Sequence, residues 1–170
     1  LILILFTFIL YSLGVFEIHD TYYTWFRDVA GGKITDLNTG FFRIVLNEQL
    51  LLIPILLFSI YRIINKAKRI DYILAFVLLI ILSINLTRIY ILALLVGLLF
   101  LFTIKLWKKW LITTILTILI LVFSFSSIHF LASGNKSLGW EVFGIRIQSI
   151  VRPSIEQSSL SRMMLLPKVW

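Results

Sequence analysis

The arginines of this sequence are the residues whose type and placement point most directly to chemistry. Arg88 stands immediately before a long apolar run, and Arg43 stands close to the beginning of an earlier one. A guanidinium group stays charged and presents a planar set of donors that binds a phosphate through two hydrogen bonds. The polar stretch after residue 130 supplies three more, on Arg146, Arg152 and Arg162. This pattern favours an anion site, although helix-end anchors and contacts to anionic lipid headgroups would use the same residue type.

Other kinds of catalytic site find little support in the sequence. It contains no short motif of zinc peptidases, of phosphate-binding loops or of serine hydrolases. The absence of cysteine excludes disulfides, thiolate metal sites and cysteine nucleophiles. His19 and His129 each fall at a predicted helix end, where an interfacial histidine is the simplest interpretation, and Glu17, His19 and Asp20 form at most a small polar group in a loop. We therefore expect no metal and no cofactor.

The composition of the chain is that of a membrane protein. Its 170 residues are 60% hydrophobic, and its mean hydropathy is +1.02. A soluble domain of this size has too little interior to bury so much apolar surface, whereas lipid can cover it. The net charge of +8 comes from basic residues beside the apolar blocks rather than along one soluble face. We therefore interpret these residues as topology signals and expect no nucleic-acid partner.

Five apolar segments predict an all-α integral membrane protein, a polytopic bundle of about five helices within residues 1–130. The third segment (72–86) and the fourth (89–104) could form one helix, but Asn85, Thr87 and Arg88 lie where the two segments meet. A charge at the bilayer centre costs at least about 2.5–3.5 kcal/mol, so a turn at the membrane surface is favoured. Residues 131–170 are predicted to begin a large periplasmic or extracellular loop, and both chain ends look cut. The predicted helices are 1–16, 42–61, 72–86, 89–104 and 111–130.

The distribution of lysine and arginine predicts the orientation of these helices. Segments 62–71 and 105–110 are rich in basic residues and carry a single acid, Asp71. Short cytoplasmic loops have this excess of positive charge, so we place both segments in the cytoplasm. Alternation of the helices then places 17–41 and 131–170 outside. Trp107 and Trp110 flank the second basic cluster as interfacial anchors would.

Two stretches of the chain resemble motifs of one bacterial superfamily. Residues 82–98, L-S-I-N-L-T-R-I-Y-I-L-A-L-L-V-G-L, look like the S-R-x-x-x-L-A-L motif of the O-antigen ligase and polymerase superfamily. Residues 158–170 are similar to that family's S-x-x-x-R-x-x-x-W element in its large periplasmic loop, and Arg43 resembles an arginine often found at the outer start of a helix. The resemblance covers most of the chain but only the middle of a typical member. Thr87 stands where the family usually has serine, and the family's catalytic histidine is expected beyond Trp170, in a place that neither histidine of this chain occupies.

The resemblance implies a metal-independent glycosyltransferase of the bacterial inner membrane. Such an enzyme moves an undecaprenyl-diphosphate-linked glycan to an acceptor, which is the lipid A core for a ligase and a growing glycan for a polymerase; we lean towards a polymerase or a generic ligase-like protein. Membrane lipids would be further partners. Arg88 and Arg162 would be the catalytic residues at the donor diphosphate, and Arg43, Arg146 and Arg152 would bind substrate. The alternatives are a polysaccharide flippase or other membrane transporter, and a non-catalytic membrane scaffold.

Overall fold

The computed structural model describes residues 2–36, 41–85, 87–134 and 137–151, and it is mostly helical, at 76%. A two-stranded antiparallel sheet lies between the second and third helices, and two short 3-10 turns join neighbouring elements. In chain order the elements are α1 (Ile2–Ser12), α2 (Thr21–Asp28), β1 (Gly32–Asp36), β2 (Phe42–Leu46), a 3-10 turn (Asn47–Leu51), α3 (Leu52–Lys66), α4 (Arg69–Asn85), α5 (Arg88–Phe100), a 3-10 turn (Ile104–Leu106), α6 (Trp107–Ala132) and α7 (Trp140–Val151).

Two helical segments of the described chain are long and apolar enough to cross a membrane. They are Gln49–Lys66, with 18 residues, and Ile104–Ala132, with 29. At 1.5 Å per residue they measure about 27 Å and about 43 Å, against a hydrocarbon layer of about 30 Å. Only 22% of the most apolar window of Ile104–Ala132 is buried within the protein, although its mean hydropathy is 2.4. The rest is an apolar outer surface that suits contact with lipid. Ile2–Ser12 and Arg88–Phe100 are apolar but shorter.

Helices α3, α4 and α6 form the centre of the bundle. Leu56 of α3 and Leu78 of α4 are fully buried in the core between them. Helix α4 also packs along α6, where the buried Ser83 hydroxyl donates to the carbonyl of Leu79 at 2.9 Å and to that of Leu121 at 3.3 Å. Serine satisfies its polar group on backbone carbonyls in this way, so it brings two apolar helices close together without leaving an unpaired donor.

The turn between α3 and α4 is fixed by one buried carboxylate. Asp71, 3% exposed, accepts a hydrogen bond from the backbone N–H of Lys68 at 2.9 Å and pairs with Nε of Arg62 at 3.1 Å. An acid in the first turn of a helix also interacts favourably with the helix dipole. The segment 62–71, predicted as a loop, is mostly helical, because it contains the end of α3 and the beginning of α4. Only residues 67 and 68 separate α3 from α4.

The predicted helix over residues 42–61 is wrong at its beginning. Phe42–Leu46 is a strand that pairs with β1, with Ile44 opposite Ile34, and the helix begins only at Leu52. The segment F-R-I-V-L contains two β-branched residues and one aromatic residue, which favours a strand. Counting apolar residues over a long window does not detect this strand, because a short apolar run is compatible with both a helix and a strand. The chain thus carries a β-hairpin that the all-α prediction did not contain.

The outer segment 17–41, predicted as a loop, contains α2 and β1 among its described residues. Helix α2 packs against β1, and β2 packs on α1. Phe26 of α2 is fully buried and lies directly over Gly32, where a Cβ atom would come within 2.1 Å of the ring. Arg27 and Asp28 form an exposed ion pair at 2.7 Å. The hydrogen bond from Arg27 holds the pKa of the Asp28 carboxyl below its usual value, but an exposed pair of this kind contributes little to stability.

The region 131–170, predicted as an outer loop, contains the end of α6 and the whole of α7. Helix α7 packs against α5, so this part of the region folds back onto the bundle. Arg146 lies on α7. Arg152 and Arg162 lie outside the described residues.

Candidate functional site

Arg43 projects from β2 to the turn between α4 and α5. Its Nε donates to the backbone carbonyl of Asn85 at 3.0 Å, and its Nη2 donates to Oγ1 of Thr87 at 3.2 Å. Both acceptors belong to the turn that precedes Arg88, the first residue of α5. The hairpin is what places Arg43 here, because alternation along β2 directs Ile44 and Leu46 into the core and Arg43 to the other side.

Thr87, which accepts a hydrogen bond from Arg43, is itself hydrogen-bonded to one of two buried side-chain amides. The hydroxyl of Thr87 donates to Oδ1 of Asn85, and Nδ2 of Asn85 donates to Oε1 of Gln49. Asn85 is 0% exposed and Gln49 is 2% exposed. We call Arg43, Gln49, Asn85 and Thr87 the arginine–amide cluster. Since buried polar groups with partners fix a unique arrangement, this cluster holds the α4–α5 turn in one position relative to β2.

Thr87 links the cluster to the start of α5. It occupies the residue before the helix in an extended conformation, yet its side chain makes no capping hydrogen bond to the helix. The hydroxyl instead accepts from Arg43 and donates to Asn85, while the Thr87 carbonyl accepts the backbone N–H of Tyr90 at 3.0 Å. These two side-chain hydrogen bonds need only a hydroxyl, which a serine at this position would also supply.

Arg88 follows Thr87 directly and is half-buried. Its position at the first residue of α5 adds its charge to the positive end of the helix dipole, which favours an anion at this terminus. The structure therefore brings two of the five predicted arginines, Arg43 and Arg88, to one turn of the chain.

His129 occupies a buried aromatic pocket that the sequence did not reveal. It is 0% exposed, its ring stacks on Phe41 with centroids 5.2 Å apart, and Phe125 lies 5.7 Å away. Nδ1 lies 3.1 Å from the carbonyl oxygen of Ser137. A carbonyl only accepts, so this contact places the proton on Nδ1. The ring also lies against Gly139, where a Cβ atom would come within 2.6 Å of Cγ.

The histidine pocket and the arginine–amide cluster are neighbours in the fold. Phe41 precedes Arg43 by two residues, and Ile91 follows Arg88 by three. Phe41, Ile91 and Phe125 form one buried apolar cluster, so the same two chain segments serve both the arginines and the histidine. The sequence indicates only part of this pocket: Phe125 and His129 are four residues apart on α6 and so share a helix face, whereas the burial of His129 depends on Phe41 and Gly139 from other segments.

Glu17, His19 and Asp20, the polar group noted in the sequence, make only local contacts among the described residues. His19 is exposed, has a backbone φ of 89° and meets the edge of Tyr23. Asp20 accepts the backbone N–H of Glu17 at 2.9 Å, which is a loop-closing hydrogen bond. Within the described ranges no three metal-ligating side chains come together.

Comparison of the chain with protein-family models, with curated proteins and with solved structures finds no match. The site must therefore be interpreted from its own geometry. A half-buried arginine at a helix N-terminus, beside a second arginine held by the Asn85 carbonyl and the Thr87 hydroxyl, is suited to binding an anionic group such as a phosphate ester.

Proposed function

We propose that this chain is part of a polytopic protein of the bacterial inner membrane, an O-antigen ligase-like glycosyltransferase or polymerase that transfers an undecaprenyl-diphosphate-linked glycan to a glycan or lipid A core acceptor. The observation that carries the proposal is the attachment of Arg43 to the turn that presents Arg88. The two residues occupy the positions at which the sequence resembles the superfamily. Two arginines that bind one anionic substrate must be held in the same part of the fold, and both of these are held at the α4–α5 turn.

In the proposed reaction an acceptor hydroxyl attacks the anomeric carbon of the donor sugar. The bond from that carbon to the phosphate oxygen breaks, and the carrier diphosphate leaves with the bonding electron pair. Arg88 stabilises the charge that develops on this leaving group, as a cation fixed before the reaction begins. The hydroxyl proton passes to a base, which the superfamily resemblance places beyond residue 170.

The other arginines have distinct parts in the proposal. Arg43 holds the α4–α5 turn and adds positive charge at the substrate phosphates. Arg162 is the second catalytic cation, and Arg146 and Arg152 bind the donor or the glycan. The basic ends of the helices lie in the cytoplasm, and the arginine site lies on the opposite side of the membrane, where the lipid-linked donor is used.

The test uses a strain that lacks the gene and is complemented with single variants, with surface and carrier-linked glycans separated by chain length. Arg88→Ala and Arg162→Ala should abolish transfer while the protein still inserts in the membrane. Arg27→Ala serves as the matched control, because Arg27 is an arginine whose side chain is 58% exposed and pairs with its neighbour Asp28. That variant should restore the wild-type pattern.

The result also separates the candidate activities. Single repeat units on the acceptor in the deletion strain identify a polymerase, and long chains retained on the carrier lipid identify a ligase. Full activity of both arginine variants would remove the catalytic assignment. An unchanged glycan pattern after deletion would overturn the transferase proposal and favour the transporter.

A further inference from the structure

A groove of about 400 Å³ lies between α3, α4 and α6, at the end of the bundle that carries the basic segments 62–71 and 105–110. Pockets of about 300–1,000 Å³ commonly bind small ligands. This groove is open at the protein surface, because four of its lining side chains are between 50% and 59% exposed. These four are Tyr72, Phe76, Ile112 and Leu116. The groove is therefore accessible from outside the protein, on the side where α4 and α6 face outwards.

A hydrogen bond between α4 and α6 fixes which residues lie at the same level along the groove. The hydroxyl of Ser83 donates to the carbonyl of Leu121 at 3.3 Å. Tyr72 precedes Ser83 by 11 residues, and Lys109 precedes Leu121 by 12. Both line the groove, so α4 and α6 run in the same direction along it, with Tyr72 and Lys109 at one end. Asn65 in the last turn of α3 lines the same end, since only two residues separate α3 from α4.

Polar and apolar side chains are segregated along the groove. Apolar side chains of α4 and α6 form most of the wall beyond the polar end, namely Phe76, Leu79, Ile112, Leu116 and Ile120. The distance along the axis of α6 from Lys109 to Ile120 is about 16 Å. Thr117 also lines this part, but its hydroxyl donates to the carbonyl of Thr113 at 2.8 Å, so it needs no polar ligand. A ligand that fits has a polar head and a long apolar body.

Lys109 gives the polar end a positive charge that no acid of the two basic segments neutralises. Their single acid, Asp71, is buried and paired with Arg62. Lys109 is exposed, and so are five further cations of these segments: Lys66, Lys68, Arg69, Lys105 and Lys108. A lysine ammonium binds phosphate as a point charge. Nδ2 of Asn65 donates one hydrogen to the carbonyl of Tyr61 at 2.9 Å and has a second to offer beside Lys109.

In the membrane orientation proposed above, this polar end lies at the cytoplasmic surface, near the beginning of the candidate span Ile104–Ala132. Phospholipids of the cytoplasmic leaflet have their phosphates at that level and their acyl chains in the hydrocarbon layer. Basic pockets between helices on this side suit anionic headgroups. We propose that the groove binds one anionic glycerophospholipid, with its phosphate at Lys109 and one acyl chain along the apolar wall between α4 and α6.

The lipid site rests on the proposed membrane orientation and uses none of the transferase chemistry. It lies at the opposite end of α4 from the arginine–amide cluster, because Tyr72 is in the first turn of this helix and Asn85 is its last residue. Lipid selectivity and glycan transfer are therefore separate measurements. Lys109→Gln should lose the selectivity described below, whereas Arg88→Ala should keep it and lose transfer.

The experiment compares two lipids that have identical acyl chains and differ in net charge. Purified, delipidated protein in detergent is mixed with equal amounts of phosphatidylglycerol, which is anionic, and phosphatidylethanolamine, which is zwitterionic, and the retained lipids are quantified by mass spectrometry. Wild-type protein should retain at least about five times more phosphatidylglycerol, and Lys109→Gln should lower this ratio about five-fold. Lys108→Gln is the matched control, because it removes the same charge from a neighbour that lies outside the groove, over the ring of Trp107. It should keep the wild-type ratio.

A second pair of variants tests the apolar wall. Leu116→Trp should fill the groove and lower the ratio as far as Lys109→Gln does, because a lipid whose chain is excluded cannot place its phosphate at Lys109. Leu111→Trp, at a position of α6 that is 41% exposed and lies outside the groove, should keep the ratio. Equal retention of both lipids by the wild type, or equal losses in the two lysine variants, would overturn the proposal. So would a wild-type ratio in Leu116→Trp, and a change of oligomeric state in that variant alone would then assign the groove to a second copy of the chain.

Discussion

The Nε of Arg43 donates to the backbone carbonyl of Asn85 across 3.0 Å, although 42 positions of the chain separate the two residues. This bond fastens a β-hairpin to the end of a long apolar helix. It forms at the point where the chain reverses from α4 into α5 and where Arg88 begins the next helix. The position of the Arg43 charge and the position of Arg88 therefore depend on the same tertiary contact.

The first prediction concerns the geometry of the Arg43 side chain. Arg43→Lys keeps the charge but cannot make both the Nε and the Nη2 hydrogen bonds, because lysine has one compact donor group. We expect a loss of about 1–2 kcal/mol in unfolding free energy, measured by thermal unfolding in detergent. Arg43→Gln should lose at least as much. A lysine variant as stable as the wild type would show that only the charge of Arg43 matters.

The second prediction separates the hydroxyl of Thr87 from its shape. Thr87→Ser keeps the group that accepts from Arg43 and donates to Asn85, so stability and glycan transfer should stay near wild type. Thr87→Val keeps the shape and removes both hydrogen bonds, leaving Arg43 and Asn85 each without one partner. The expected loss of stability is about 1–3 kcal/mol, measured in the same unfolding assay. Equal stability of the two variants would contradict the geometry described for the cluster.

The third prediction tests the carboxylate that fixes the α3–α4 turn. Asp71→Ala removes the acceptor of the Lys68 N–H and the partner of Arg62, with an expected cost of about 1–3 kcal/mol. Asp71→Asn retains an acceptor for the Lys68 N–H and removes only the charge, so it should lose roughly half as much. Thermal unfolding of the two proteins side by side gives the comparison. If asparagine is as damaging as alanine, the ion pair rather than the cap stabilises the turn.

The fourth prediction concerns orientation in the membrane. The sequence has no cysteine, so single cysteines can be introduced without any background. In intact spheroplasts, a membrane-impermeant maleimide should label Lys33→Cys, in the predicted outer segment, and should not label Lys108→Cys until the membrane is permeabilised. The reverse pattern would invert the proposed topology. Labelling of both before permeabilisation would show that the chain between them does not separate the two compartments.

The sequence predicts the helical part of this fold better than it predicts the site. The cost of placing a charge in lipid predicts a break around Asn85, Thr87 and Arg88, and α4 and α5 end and begin there. The strand Phe42–Leu46 is missed because its apolar residues fit either structure locally and only pairing with β1 decides between them. The same pairing positions Arg43. The contact between Arg43 and Asn85 and the burial of His129 depend on tertiary packing, which residue spacing along one segment does not encode.

The final prediction concerns the contact between Gly139 and His129. Gly139 has a φ of +71°, and any Cβ at this position would meet the imidazole ring at 2.6 Å. Gly139→Ala therefore combines backbone strain with a clash against a rigid ring, and we expect it to lose about 2 kcal/mol or more of stability. Gly134→Ala is the matched control, since Gly134 also has a positive φ, at 63°, but has open space around its added Cβ. It should lose about 1 kcal/mol, from strain alone. Unfolding temperatures of the two variants decide the matter, because equal losses would mean that the ring of His129 moves aside without cost and that its pocket is not rigid.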